Sequence, residues 1–215
     1  MSGISRLCGV ILAAGESSRM GRDKALLPWP PVPQGAVGGG NTLLSASIQS
    51  LKPFTHAVVV VAGRNAEAIA SIVSANGATM VRNPAPERGQ FSSMQVGLQE
   101  VLARGYSAAM ITLVDCPPLS AASLELLSSS FHQALAAGKW AVAPENSGKH
   151  GHPLLAGREL IDAFLIAPAT QNARAIKHAH AQSIEYIAVA DSLLSIDVNT
   201  PEEYAALSMP ASRLR

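Results

Sequence analysis

Short, continuous apolar runs alternate along the chain with stretches in which apolar residues return every three or four positions. The runs Leu7–Ala14, Ala57–Val61, Ala78–Val81, Met110–Val114 and Trp140–Ala143 are bounded by Gly, Pro, Asn or Asp. Runs of strand length without polar alternation predict strands covered on both faces, as in a largely parallel sheet. Between them, Met94, Leu98, Val101 and Leu102 fall on one helical face, as do Leu124, Leu127, Phe131 and Leu135. Ala66, Ile69 and Val73 form a weaker third stripe. Ser92 or Ser93 is placed to cap the first of these helices, and Ser120 the second.

The later part is less regular. Leu160, Ile161, Phe164 and Leu165 predict a short helix, and Thr170 to His180 another. Ile184–Val189 reads as a strand and Leu194–Val198 as a shorter one. Thr200-Pro201-Glu202-Glu203 is a helix start, with a capping Thr, Pro at the first helical position and Glu three residues after the cap. From Pro210 onward the chain is expected to fray. The segment 28–41 stands apart: Pro28, Pro30, Pro31 and Pro33 are followed by Gly35 and Gly38-Gly39-Gly40. It predicts a long mobile loop beside the first strand. Strand–helix alternation on both sides of it predicts one doubly wound α/β domain over residues 1–209, without internal repeats.

A length of 215 residues is enough for a substantial core and a cofactor-sized cleft. Hydrophobic residues make up 48% and charged residues 14%, which excludes extended disorder. Sixteen Lys+Arg against fifteen Asp+Glu leave a formal charge of +1, so a nucleic-acid partner bound by phosphate neutralisation is not expected. The two cysteines, Cys8 and Cys116, make neither a disulfide framework nor a Cys-rich zinc site and suit a cytoplasmic setting. No apolar run is long enough to cross a bilayer, so no membrane association is expected.

Candidate chemistry gathers after the first apolar run, in Leu12-Ala13-Ala14-Gly15-Glu16-Ser17-Ser18-Arg19-Met20-Gly21-Arg22-Asp23-Lys24. Ligands of open α/β sheets bind beyond the carboxyl ends of the strands. Small residues there let backbone N–H groups approach a ligand, and Arg19 and Lys24 add cations, which is what a polyphosphate requires. A plain strand-to-helix turn with solvated Arg and Lys accounts for the spacing equally well. The stretch is neither a Gly-Lys-Ser/Thr phosphate loop nor a G-x-G-x-x-G dinucleotide fingerprint, and the H-E-x-x-H and G-x-S-x-G signatures are absent.

Taken with the rest of the chain, this stretch resembles the nucleotide-binding signature of the MobA-like nucleotidyltransferases. The resemblance continues in order through Asn83-Pro84 with Gly89-Gln90-Phe91-Ser92-Ser93, then Leu113-Val114-Asp115-Cys116-Pro117-Pro118. It ends with Gly151-His152-Pro153 and Ile196-Asp197-Val198-Asn199-Thr200-Pro201-Glu202-Glu203-Tyr204. The Leu-Ala-Ala-Gly form is similar to the molybdenum cofactor cytidylyltransferase branch, whereas the guanylyl branch usually carries Leu-Ala-Gly-Gly.

The resemblance implies a Rossmann-like three-layer α/β/α sandwich with a mixed, mostly parallel sheet, of the nucleotide-diphospho-sugar transferase type. It implies Mg²⁺-dependent transfer of CMP from CTP to molybdopterin or the molybdenum cofactor, with release of pyrophosphate and a molybdoenzyme as possible client. The same fold also serves GTP-dependent or sugar- and alditol-phosphate transfer, and a non-catalytic cofactor carrier is a third reading. Leu12, Ala13, Ala14 and Gly15 are expected to meet the nucleotide largely through backbone, with Ser17 beside them. Arg19 and Lys24 are expected on the triphosphate, and Asn83, Gly89, Ser92 and Ser93 around the base or ribose. Asp115, with Asp197 as the second carboxylate, is expected to hold Mg²⁺, which suits a hard cation that takes one or two protein carboxylates. Arg19, Lys24 and Asp115 form the expected catalytic set. His152 is expected on the acceptor side, and Cys116 is read as packing. The stretch 28–41 is longer than the family's usual passage to its first long helix.

Overall fold

In the computed structural model, residues 6–31, 40–168 and 170–207 are described. All seven residues of the first strand, Leu7–Ala13 (β1), are buried, the result of an apolar run with no polar alternation. Next come Leu43–Leu51 (α1), Ala57–Ala62 (β2), Ala66–Ala75 (α2), Thr79–Arg82 (β3), Gln90–Ala103 (α3) and Ala108–Leu113 (β4). The chain continues through Ala121–Ala136 (α4), Ala141–Asn146 (β5), Lys149–His150 (β6), Leu154–Ala156 (β7) and Arg158–Ile166 (α5). Ala173–Ala179 (α6), Ile184–Ala188 (β8) and Pro201–Ala206 (α7) complete it.

The strands form one eight-stranded sheet in the order β3-β2-β1-β4-β7-β5-β6, with β8 also paired to β5. β1, β2, β3 and β4 run parallel, β7 is antiparallel to both β4 and β5, and β8 is parallel to β5. The pleat sends Val10, Leu12, Val59, Val61 and Ile111 to one face, where α3, α5 and α6 cover them. Ile11, Ala13, Val58, Val60 and Met110 face the opposite layer of α1, α2 and α4. The architecture is thus the three-layer α/β/α sandwich with a mixed, mostly parallel sheet. Gly97 lets α3 lie close on the sheet, since a Cβ there would come within 2.8 Å of both Val10 and Val61.

Several elements differ from their sequence expectation. Ser92 and Ser93 do not cap α3; the helix starts one turn earlier, behind Gly89 at φ 91°, and both serines are buried inside it. Leu194–Val198 is not a strand: Ser192–Ser195 is a 3-10 turn capped by the Asp191 carboxylate, which accepts from the Leu193 N–H. Ser120 does cap α4, and Thr200 with Glu203 forms a complete capping box on α7. Helix α1, with its own capping box at Thr42 and Ser45, had no clear sequence signal behind the Pro/Gly stretch. The ends of the 28–41 segment are pinned: the Trp29 N–H donates to the Asn41 carbonyl, and Leu43 to that of Leu27. The expected mobility of its centre, residues 32–39, and the fraying of 210–215 fall outside the described residues. Among the described residues no helix is long and apolar enough to cross a membrane.

Candidate active site

β1 and β4 are neighbours in parallel, so the chain leaves both at the same edge of the sheet, at Ala14 and Val114. A cleft of about 480 Å³ opens there, lined by Leu12, Ala14, Gly15, Ser17, Lys24, Gly89, Ser93 and Asp115. Its loop is built from within. The Asn65 amide donates to the Ala13 carbonyl at 2.9 Å and to the Asp23 carboxylate at 2.7 Å, while its oxygen accepts from the Gly63 N–H. Ser17, at φ 51°, accepts from the Lys24 N–H at 3.1 Å and so turns the loop back on itself. Gly63 is required by contact, because a Cβ there would lie 2.7 Å from the Ala14 carbonyl oxygen. Gly15 has open space around it and leaves the backbone of the loop uncovered.

Lys24 is only 8% exposed, and its ammonium lies 2.9 Å from Asp115 Oδ2 and 2.9 Å from Asn199 Oδ1. Arg19 Nη2 donates to the same Asn199 oxygen at 3.2 Å. The Asp115 carbonyl accepts from the Val198 N–H at 2.8 Å, which brings the segment carrying Asp197 and Asn199 against the end of β4. The Cys116 thiol donates to Asp197 Oδ1 at 3.3 Å. Burial, reinforced by Asp115 and Asp197, pushes that thiol far above its usual range, so it remains a neutral donor and not a nucleophile. Asp115, Asp197 and Asn199 offer oxygen alone, and among the described residues no group of three or more His, Cys, Asp or Glu forms a metal cluster. Such a sparse oxygen set fits Mg²⁺ better than Zn²⁺.

The second loop is more self-contained than its sequence implied. Asn83 is buried, and its amide donates to the hydroxyls of both Ser92 and Ser93 at 2.9 Å, while its oxygen accepts from the Ala85 N–H. The Ser92 hydroxyl donates onward to the Gly89 carbonyl at 2.8 Å. Asn83 and Ser92 therefore brace the loop from behind, and Gly89 and Ser93, with Pro86, Glu87 and Gln90, face the cleft. Ala13 likewise lies under the cleft floor, tied to Asn65.

A second cleft of about 410 Å³ begins on the other side of Leu113, lined by Cys116, Lys149, His150, His152, Leu194 and Asp197. His152 and Asp197 belong to this side. Burial lowers the His152 pKa, against a 3.3 Å contact from Nδ1 to the Ile111 carbonyl, so the ring is neutral near pH 7. Gly151 is pressed onto Leu194, where a Cβ would sit 2.4 Å from its side chain. Sequence reasoning did not single out Asp23, Asn65 or Asn199. Their roles come from partners 42 to 180 positions away, and Asn65 has the local look of an ordinary helix cap.

The MobA-like NTP transferase domain family matches residues 9–184. A probable molybdenum cofactor guanylyltransferase of Mycobacterium avium (strain 104) is 28% identical over 210 residues, covering 97% of this chain and 98% of the relative. The molybdenum cofactor cytidylyltransferase of Escherichia coli (strain K12) is 26% identical over 197 residues, covering 91% and 92%. The crystal structure of Rv0371c from Mycobacterium tuberculosis H37Rv superposes with a TM-score of 0.76 at 23% identity, covering 95% of this chain and 98% of that one. A complex of Rv0371c with manganese superposes at 0.70 and 20% identity, covering 94% and 97%. The structural likenesses speak for the fold, and the family match spans most of the chain and every loop that lines the first cleft: the chain belongs to the MobA-like NTP transferases.

Proposed function

We propose that the protein is a single-domain, cytoplasmic nucleotidyltransferase that moves CMP from CTP to molybdopterin or a molybdenum-bearing form of it, releasing pyrophosphate. The observation that carries this reading is the Lys24 ammonium, held 2.9 Å from Asp115 at the head of a small-residue loop and facing an open cleft. The loop backbone from Ala14 to Ser17 receives the triphosphate, with Lys24 and Arg19 neutralising charge that shifts towards pyrophosphate. A phosphate oxygen of the acceptor forms the new bond to the α-phosphorus as the bond to the β-phosphate oxygen breaks. The acceptor phosphate is already ionised near neutral pH, so the chain needs no strong base, and the protonated Cys116 and neutral His152 are compatible with that. Rate enhancement comes from alignment and charge neutralisation.

Asp115 and Asp197, with Asn199 nearby, are the residues that would hold Mg²⁺, whose chemistry is to polarise the phosphoryl oxygens. The manganese complex of Rv0371c supports a divalent-metal requirement. For the base, the Leu12-Ala13-Ala14-Gly15 form of the loop, with Ala14 on the cleft, supports the cytidylyl reading. The guanylyltransferase name of the Mycobacterium avium relative supports the alternative that GTP is the donor. The alternative of a sugar- or alditol-phosphate acceptor would keep the same phosphate machinery.

Pyrophosphate release with molybdopterin and Mg²⁺, offering CTP, GTP, ATP and UTP separately, tests the reading. Release with CTP alone is expected. Release with GTP alone moves the protein to the guanylyl branch, and release with none removes molybdopterin as acceptor. Asp115→Asn is expected to cut turnover by about 10²-fold or more and to leave the melting temperature within a few degrees. Unaltered turnover would sink the metal assignment.

A further inference from the structure

We propose that His150, held flat by Tyr186, is the acceptor-orienting residue of the second cleft, and that it selects an acceptor carrying a planar heteroaromatic ring over a sugar or polyol phosphate. The inference deepens the nucleotidyl-transfer reading above and rests on it.

The hairpin that carries His150 is rigidly specified. Ser147 at φ 51° and Gly148 at φ 78° form a two-residue turn with both central residues left-handed, the geometry that matches strand twist. It pairs His150 directly opposite Glu145, and β8 on the other side of β5 pairs Tyr186 with Ala143. The alternation of the sheet then puts Glu145, His150 and Tyr186 on one face. The imidazole stacks on the Tyr186 ring with centroids 3.9 Å apart and planes 16° from parallel. Glu145 Oε2 lies 3.7 Å from His150 Nε2 and limits rotation of the ring. The Gly151 N–H donates to the Pro144 carbonyl at 3.0 Å, which anchors the hairpin just beyond the histidine.

Tyr186 covers one face of the imidazole, and His150 nevertheless lines the cleft, with a side chain still 45% exposed. A flat, pre-oriented ring at the wall of a cleft is a stacking surface with little rotamer entropy left to lose. Asp197 lines the same cleft, and Leu113 is shared with the nucleotide cleft. A ring stacked on His150 would leave an attached phosphate free to reach the wall between the two clefts. A sugar or polyol has no flat π-face to use this surface.

The test compares His150→Ala, His150→Phe and Tyr186→Leu in the full chain, by acceptor and triphosphate KM with molybdopterin and by fluorescence quenching of pterin-6-carboxylate. His150→Ala is expected to raise the acceptor KM and weaken pterin binding by about tenfold, with the triphosphate KM and kcat at saturating acceptor unchanged. His150→Phe keeps a flat ring and is expected to restore pterin binding, and Tyr186→Leu should lie between. An unchanged acceptor KM in His150→Ala, or no recovery in His150→Phe, overturns the proposal while wild-type turnover leaves the enzyme reading standing. If the wild type turns over no triphosphate with molybdopterin, the enzyme reading fails. The pterin-quenching arm then decides the stacking role alone.

Discussion

The Lys24 ammonium lies on Asp115 Oδ2 and Asn199 Oδ1, so a divalent cation offered to the protein alone must compete with it for that carboxylate. On the proposed reading, a triphosphate would give Lys24 another anion to bind and free Asp115. Lys24→Met is therefore expected to bind Mn²⁺ several-fold more tightly without nucleotide, yet to bind triphosphate at least about tenfold more weakly. Electron paramagnetic resonance of free Mn²⁺ measures the first and calorimetry the second. Equal Mn²⁺ affinity in both proteins would mean that Lys24 and the metal do not share the carboxylate. At this scale the placement of Gly15, Lys24 and Asp115 on one cleft was legible, because small residues and charges in the segments that follow strands are a local signal. Asn65 and Asn199 were not: each bonds to groups that only the fold brings near, and their own neighbourhoods read as turn and cap chemistry.

One element interaction ties the far side of the second cleft to the core. Asp191 accepts from the Ser120 N–H at 2.9 Å, the Ser123 hydroxyl at 3.0 Å and the Leu193 N–H at 3.1 Å, joining the start of α4 to the 3-10 turn that carries Leu194. Burial alone would raise its pKa, but these hydrogen bonds outweigh burial and hold the carboxyl below its ordinary value. A depressed folded-state pKa means stability that is complete above the unfolded carboxylate value of about 3.9 and is lost as pH falls through the folded one. Asp191→Asn is expected to cost about 2 kcal/mol at pH 7, with the difference from wild type shrinking towards pH 2. Urea unfolding at the two pH values measures it, and a constant difference would assign the effect to packing instead. The same bonds explain why Leu194–Val198 is not a strand. The stretch reads locally as a short strand, whereas Asp191 turns the chain and Leu194 packs inward. The two- and three-residue strands β6 and β7 were too short for any periodicity to mark them.

For the whole molecule, the doubly wound character was readable from apolar runs of strand length separated by amphipathic helices. The antiparallel β7 between β4 and β5 was not, since strand order depends on which edges meet and leaves no trace in local periodicity. Because both clefts draw on several elements, ligand binding should stabilise the fold as one unit. Saturation with triphosphate and Mn²⁺ at about 100 times the dissociation constant adds about 2.7 kcal/mol, and is expected to raise the melting temperature by about 5–10 °C. Differential scanning calorimetry with and without ligand checks this. A shift absent with triphosphate but present with an unrelated anion such as sulfate would place the binding outside the proposed site.

The bonds from Asn199 to Arg19 and Lys24, and from Tyr204 to the Pro28 carbonyl, join residues 175 to 180 positions apart. During synthesis at about 5–20 residues per second, the loop that carries Arg19 and Lys24 leaves the ribosome roughly ten to thirty-five seconds before the segment that completes it. A nascent chain in that interval carries Lys24 without Asn199 and, in its later half, Asp115 without Asp197. On the proposed reading, catalytic competence would be a property of late translation: a chain stalled before residue 197 would carry the triphosphate loop without the second carboxylate expected to hold the metal.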